Sequence, residues 1–190
     1  MSEIRYKLTD ENQCTYKGFK WEKNKWYKTN GTGPLCTAGW LHCYSDPLLG
    51  MFLNPIHANF KNPKVWKVEV KGESITDIGL KEGWTKMRLL EEVSVPQIST
   101  EQRIRFAILC AKVVYKEEKW NTWVDDVLSR KDYTGAPTIY SSEVGAASAA
   151  KAKAAAGAAE VVAWAVMAVV WAAEAAEGLD LITIAHEAIK

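Results

Sequence analysis

Cys36, His42, Cys43 and Asp46 crowd into one stretch, LCTAGWLHCYSDP, the densest set of metal-ligating and nucleophilic side chains in the chain. Zinc takes four such ligands in a tetrahedron, and they usually arrive as closely spaced pairs. Neither a CxxC nor an HxxxH unit is present. On a strand, neighbouring side chains point to opposite faces, so His42 and Cys43 cannot reach one ion without a bulge. A thiol nucleophile would need a base, for which His42 and His57 are the candidates. The simplest reading of these residues is structural: no metal, no cofactor and no catalytic residue is expected.

The run YKGFKWEKNKWYK interleaves Lys17, Lys20, Lys23, Lys25 and Lys28 with Tyr16, Phe19, Trp21, Trp26 and Tyr27. Lysines that meet phosphates and rings that stack on bases are the components of single-strand recognition, so Lys17, Lys20, Trp21, Lys23, Lys25 and Trp26 form a candidate nucleic-acid site. The net charge of +1 weighs against nucleic acid as a partner. The same interleaving also arises in a strand with one face in the core and lysines guarding a sheet edge. No phosphate loop, dinucleotide fingerprint, nucleophile elbow or metalloprotease helix occurs. Glu91 and Glu92 are adjacent, but on a strand they face opposite ways and make no acid–base pair.

The third candidate is a surface. Residues 143–177 are rich in alanine and free of proline, which predicts one α-helix of roughly 50 Å, with Ser141 or Ser142 as N-cap and Gly178 as a left-handed stop. Its thirteen uncharged residues, VVAWAVMAVVWAA, fall short of the about 20 apolar residues needed to span a bilayer, so no membrane segment is expected. At 100° per residue, Val161, Val162, Val166 and Val169 share one face. Trp164, Met167 and Trp171 share another, in the same arc as Lys153, Glu160 and Glu174. An aromatic stripe usually packs under a neighbouring helix. A stripe that shares its arc with charges is also what a partner-binding or self-associating surface needs, so these three residues are the candidate contact.

The elements that must position these groups follow from periodicity. Residues 1–97 read as a β-rich domain with strands at Ile4–Leu8, Cys14–Trp21, Trp26–Thr29, Gly39–Tyr44, Val65–Lys71 and Trp84–Val95. Asn30–Pro34 is expected to turn a hairpin between the Trp26 strand and Leu35. Asp46 and Pro47 open a short helix expected to stop before Pro55. Pro96 marks the change to a helical domain, residues 98–190, whose first helix starts from a capping box of Ser99 and Gln102 and buries Ile104, Ala107, Cys110, Ala111 and Val114. Arg105, Lys112 and Lys116 line its solvated side. A helix capped by Asn121 presents Trp120, Trp123, Val127 and Leu128 inward, and a last helix packs Leu181, Ile182, Ala185 and Ile189. The expected fold is therefore α+β: a mostly antiparallel β-rich domain followed by a helical bundle built on the long alanine-rich helix. Four cysteines and a polar amino terminus point to reduced thiols in a cytoplasmic setting.

LCTAGWLHCYSDPLLG followed by VWKVEVKG resembles the amino-terminal domain of uncharacterised accessory proteins of tailed bacteriophages and prophages. The resemblance rests on Cys36, Gly39, His42, Cys43, Pro47, Val68, Glu69, Val70 and Gly72, with one extra residue between Gly39 and His42, where Trp40 and Leu41 stand. EQRIRFAILCA, WNTWVDDVLSRKD and the Ala/Trp helix are similar to helical tails in phage proteins. The resemblance implies a protein of the infected host cytoplasm that binds and blocks a host or anti-phage defence protein, for example in the manner of an anti-CRISPR. A homo-oligomer through the long helix is the related expectation. An ADP-ribosyltransferase-like enzyme is the alternative by fold analogy, with Glu69, Glu91 and Glu92 as the available carboxylates.

Overall fold

The computed structural model describes residues 2–130, 168–176 and 178–190. They form an α+β protein that divides into two compact units, Met1–Gln97 and Ile98–Lys190.

The first unit is antiparallel. Its strands are β1 (Glu3–Thr9), β2 (Cys14–Thr15), β3 (Phe19–Lys20), β4 (Tyr27–Lys28), β5 (Leu41–Cys43), β6 (Lys64–Asp77) and β7 (Lys81–Val93), with helix α1 (Pro47–His57) between β5 and β6. The five-stranded sheet has the order β1-β6-β7-β4, and β5 also pairs with β7; β2 and β3 form a separate hairpin. Tyr6 and Tyr44 exchange backbone hydrogen bonds of 2.9 and 2.7 Å, which joins the end of β5 to β1. That single bridge links the ends of the circuit β1, β6, β7, β5, while β4 remains an outer strand beside β7. Its interior holds Trp21, Cys43, Trp66, Val68, Val70, Trp84, Met87 and Leu89. Alternation along β6 builds this face: Trp66, Val68 and Val70 are buried, whereas Lys67, Glu69 and Lys71 reach solvent.

Several sequence expectations give way here. Residues 30–34 do not turn a hairpin: β4 pairs with β7, and the loop folds back so that Gly31 N–H donates to the Gly39 carbonyl at 3.0 Å. Leu35 and Trp40 then press on Gly83, where a Cβ would lie 2.6 Å from Leu35 Cδ1 and 2.8 Å from Trp40 Cβ. The expected strand from Cys14 to Trp21 is broken by a 3-10 turn at Tyr16–Gly18, where Lys17 has φ of +55°. β6 runs past its expected end at Lys71 and β7 starts before Trp84, because each continues the other's hydrogen-bond ladder out to Asp77 and Lys81, whereas β7 stops at Val93, short of the expected Val95.

Helix α1 begins as expected, with Asp46 Oδ1 accepting from Leu48 N at 2.8 Å and Leu49 N at 3.2 Å, and Pro47 in the first turn. It does not stop before Pro55. Proline fixes φ near the helical value, so in the last turn it forfeits one hydrogen bond without ending the helix. The end comes at Ala58, whose N–H donates to the Asn54 carbonyl at 3.0 Å.

The second unit contains α2 (Thr100–Val114), α3 (Glu118–Arg130), α4 (168–175) and α5 (Leu181–Ala188). The Ser99–Gln102 capping box is present, at 3.2 and 2.9 Å. Ile104, Ile108, Ala111, Trp120, Val124 and Val127 form the α2–α3 core. Phe106 and Ile108 join the buried side of α2, and Val114 is only half-buried. Asn121 is not a cap: α3 starts earlier, and Glu117 accepts from the N–H groups of Lys119 and Trp120. Of the basic row on α2, Lys112 is paired with Asp125 and Lys116 is exposed, whereas Arg105 is half-buried. Gly178 has φ of +80°, the left-handed conformation anticipated for it. Leu181, Ala185 and Ala188 are buried, while Ile182 is 38% exposed, contrary to its expected place in the core. Most of the long alanine-rich helix, residues 143–167, lies outside the described residues, as do its caps Ser141 and Ser142. No helix among the described residues is long and apolar enough to cross a membrane.

Candidate functional site

The cysteine and histidine cluster is distributed around β5. Cys43 is fully buried in the sheet core, and His42, facing the other way, meets the Leu35 carbonyl through Nε2. Asp46 is spent as the α1 cap. Cys36 is exposed, with Lys81 Nζ 3.0 Å from its sulfur. His57 Nδ1 bonds the Tyr44 hydroxyl at 3.2 Å, and the two rings stack. No group of three potential ligands able to hold a metal ion occurs among the described residues.

Burial dominates the electrostatics of this cluster. It pushes the Cys43 thiol and the Tyr44 hydroxyl up, which keeps both neutral, and lowers His42, partly offset by its bond to Leu35. His57 is lowered to about 4, by burial first and by the neighbouring Lys81 and His42 second. Lys7 is fully enclosed and lowered to about 8 by loss of hydration. Its ammonium donates to the His42 carbonyl at 2.7 Å and lies 4.6 Å from the centre of the Trp21 ring. Burial thus keeps the Cys43 thiol and the Tyr44 hydroxyl neutral in the sheet core, while His42 and His57 are half-buried and Cys36 is exposed.

The lysine and aromatic run is divided by the fold. Trp21, a sequence candidate for base stacking, is 2% exposed and belongs to the core, so a base cannot reach it. Its indole donates to Thr15 and its ring packs against Phe19 and Tyr27. Lys17 and Lys20 sit on the small hairpin, and Lys25 pairs with Glu22. Lys23 is exposed. Trp26 is drawn to a different place, the solvent side of the main sheet, where Lys71 Nζ and Arg88 Cζ lie 4.8 and 4.9 Å from its ring centre.

That side carries a row the sequence did not reveal. Lys28 on β4 stands opposite Lys86 on β7, and Lys86 stands opposite Lys71 on β6. Like charges directly opposite each other in a sheet are destabilising. One rung along, Arg88 faces Glu69, and Glu69 accepts from Arg88 Nε at 2.7 Å and from Lys71 Nζ at 3.0 Å. Those two cations, Lys71 first, hold the Glu69 carboxyl below its ordinary range. Lys28 and Lys86 have no carboxylate partner among the described residues. Beside Lys28 opens a depression of about 750 Å³ lined by Thr29, Asn30, Thr32 and Thr37 among others. Only alternation hinted at this row in the sequence, because register across three strands sets it.

The carboxylates proposed for an enzyme are also engaged: Glu69 as above, Glu91 with Lys67 at 3.2 Å and Glu92 with Lys64 at 3.3 Å. Of the candidate partner-binding residues, Trp164 and Met167 lie outside the described residues. Trp171 is on α4, half-buried, and Glu174 one turn later is exposed.

The model of a family described as a domain of unknown function, DUF7666, matches residues 4–101, just over half of the chain. The chain belongs to that family. The DUF7666 match spans the whole sheet, the β5 cluster, the lysine row and the start of α2. No curated protein and no solved structure matches the chain.

Proposed function

We propose that this protein works by binding: it docks on a host or anti-phage defence protein in the cytoplasm of an infected cell and blocks it, using Trp164, Met167 and Trp171. The observation that carries this reading is the state of α4. Val169, Ala172 and Ala173 are buried, yet Trp171 stays half-open on the side of exposed Glu174. A large indole left partly wet beside a charge is costly for a lone chain and useful at an interface, where tryptophan concentrates binding energy. Val113 and Ile182 add apolar surface on the same unit, at 43% and 38% exposure. The phage setting rests on the resemblance of the Cys36–Gly72 segment.

The test is the plating efficiency of a phage on bacteria that carry a defence system and express this protein. Wild-type protein is expected to raise plaque counts, and the double substitution Trp164→Ala, Trp171→Ala to abolish the rise while the far-UV spectrum stays helical. Light scattering on the same proteins separates a homo-oligomer through this face from a foreign partner. Equal plaque counts with the variant and the wild type would sink the reading.

A further inference from the structure

We infer that the solvent side of the main sheet binds single-stranded nucleic acid, with its phosphates on Lys28, Lys86 and Lys71 and a base on Trp26. This goes beyond the docking face on α4 and does not depend on it.

Three lysines in direct cross-strand register are the starting point. Edge protection accounts for Lys28, since β4 is an outer strand. It does not account for Lys86, whose strand has β6 on one side and β4 on the other. Glu69 relieves only the Lys71 end of the row and is shared with Arg88, so Lys28 and Lys86 keep no carboxylate partner among the described residues. Strands lie about 4.8 Å apart, so the row spans about 10 Å. A polyanion of regularly spaced charges satisfies such a row, and a single inorganic anion does not reach across it.

The aromatic group decides between polyanions. Trp26 is half-buried, immediately before β4, with two cations already at its ring. A flat ring flanked by cations and bordering a phosphate-sized row is the combination that holds unpaired bases, whereas an acidic peptide has no use for the ring. The depression beside Lys28, with its threonine hydroxyls and the Asn30 amide, gives a neighbouring sugar hydrogen-bonding groups. A duplex hides its base faces, so the single strand is the form that fits.

Fluorescence anisotropy of a labelled single-stranded oligonucleotide of about 12 nucleotides tests this on the full chain. Binding is expected, with a log–log salt slope of about −2, from three phosphates at about −0.7 each. Lys28→Glu with Lys86→Glu is expected to weaken binding at least about ten-fold and to flatten that slope. Trp26→Ala is expected to cost about ten-fold with the slope unchanged. Lys61→Glu, on an exposed lysine in the loop before β6, serves as the control that keeps wild-type affinity. Both reversed lysines of the row are exposed, and a melting midpoint no lower than that of the wild type shows that those variants fold. No binding at low salt, equal competition by poly-glutamate, or wild-type affinity in the double reversal would each overturn the proposal. Trp164→Ala with Trp171→Ala should leave oligonucleotide binding intact, so failure of the docking reading and failure of this one are separable.

Discussion

Lys7 is an ammonium where a hydrocarbon would normally sit. It keeps one hydrogen bond, to the His42 carbonyl, and a ring contact with Trp21 in exchange for its hydration shell. Its pKa falls from the ordinary 10.5 to about 8, so between these two values the unfolded chain binds more protons than the folded one. Stability must therefore rise with pH across that window, by up to about 3 kcal/mol, and the penalty is fully present below about pH 8. His57 acts at the other end. Lowered from 6.5 to about 4, it stays neutral in the fold while the unfolded chain takes up a proton. Stability is then complete above about pH 6.5 and declines as the pH falls toward 4, again by about 3 kcal/mol. Urea unfolding at a series of pH values should show two rises separated by a plateau near neutrality. Lys7→Met should erase the alkaline rise and leave the acidic one; a variant that keeps both would remove Lys7 as the cause.

Elements show how contact across strands overrides local preference. Gly83 on β7 has no room for a Cβ, because Leu35 and Trp40 lie against it. Gly83→Ala should cost about 1 to 3 kcal/mol by forcing that loop away, read as a lower urea midpoint with an unchanged slope. The loop was the part least legible in the sequence. Asn30–Pro34 carries hairpin residues, and Gly31 and Gly33 do adopt positive φ, at +68° and +81°. Yet the partner of β4 is β7, more than fifty residues away in the sequence, and no local signal states that. What depends on a few consecutive residues was readable: the Asp46 cap, the Ser99–Gln102 box, the alternation of β6 and the left-handed Gly178. What depends on register was not. The lysine row needs Lys28, Lys71 and Lys86 aligned over three strands, and the burial of Trp21 needs the sheet to curl over it. Both properties appear only once the pairing is known.

At the scale of the molecule, the sheet core of the first unit is drawn from that unit alone among the described residues. Trp21, Cys43, Trp66, Val68, Val70, Trp84, Met87 and Leu89 all come from residues before Pro96, and the Tyr6–Tyr44 bridge lies within the same segment. The polar partners of Lys7 and His57 lie there too. A chain of 97 residues is large enough to bury a core without disulfides, and the cysteines among the described residues are free. We therefore expect residues 1–97 to fold alone. Near-UV circular dichroism of that fragment should keep the tryptophan signature of the packed sheet, and denaturant should unfold it in one cooperative step. A far-UV signal without the near-UV one would mean a loosely packed sheet and would contradict the expectation. The alkaline rise in stability supplies a sharper check. Because His42, Trp21 and Cys43, the partners of Lys7 among the described residues, come from this segment, the fragment should reproduce that rise over the same pH window, whereas a rise that vanished would show that the enclosure of Lys7 requires residues beyond Gln97.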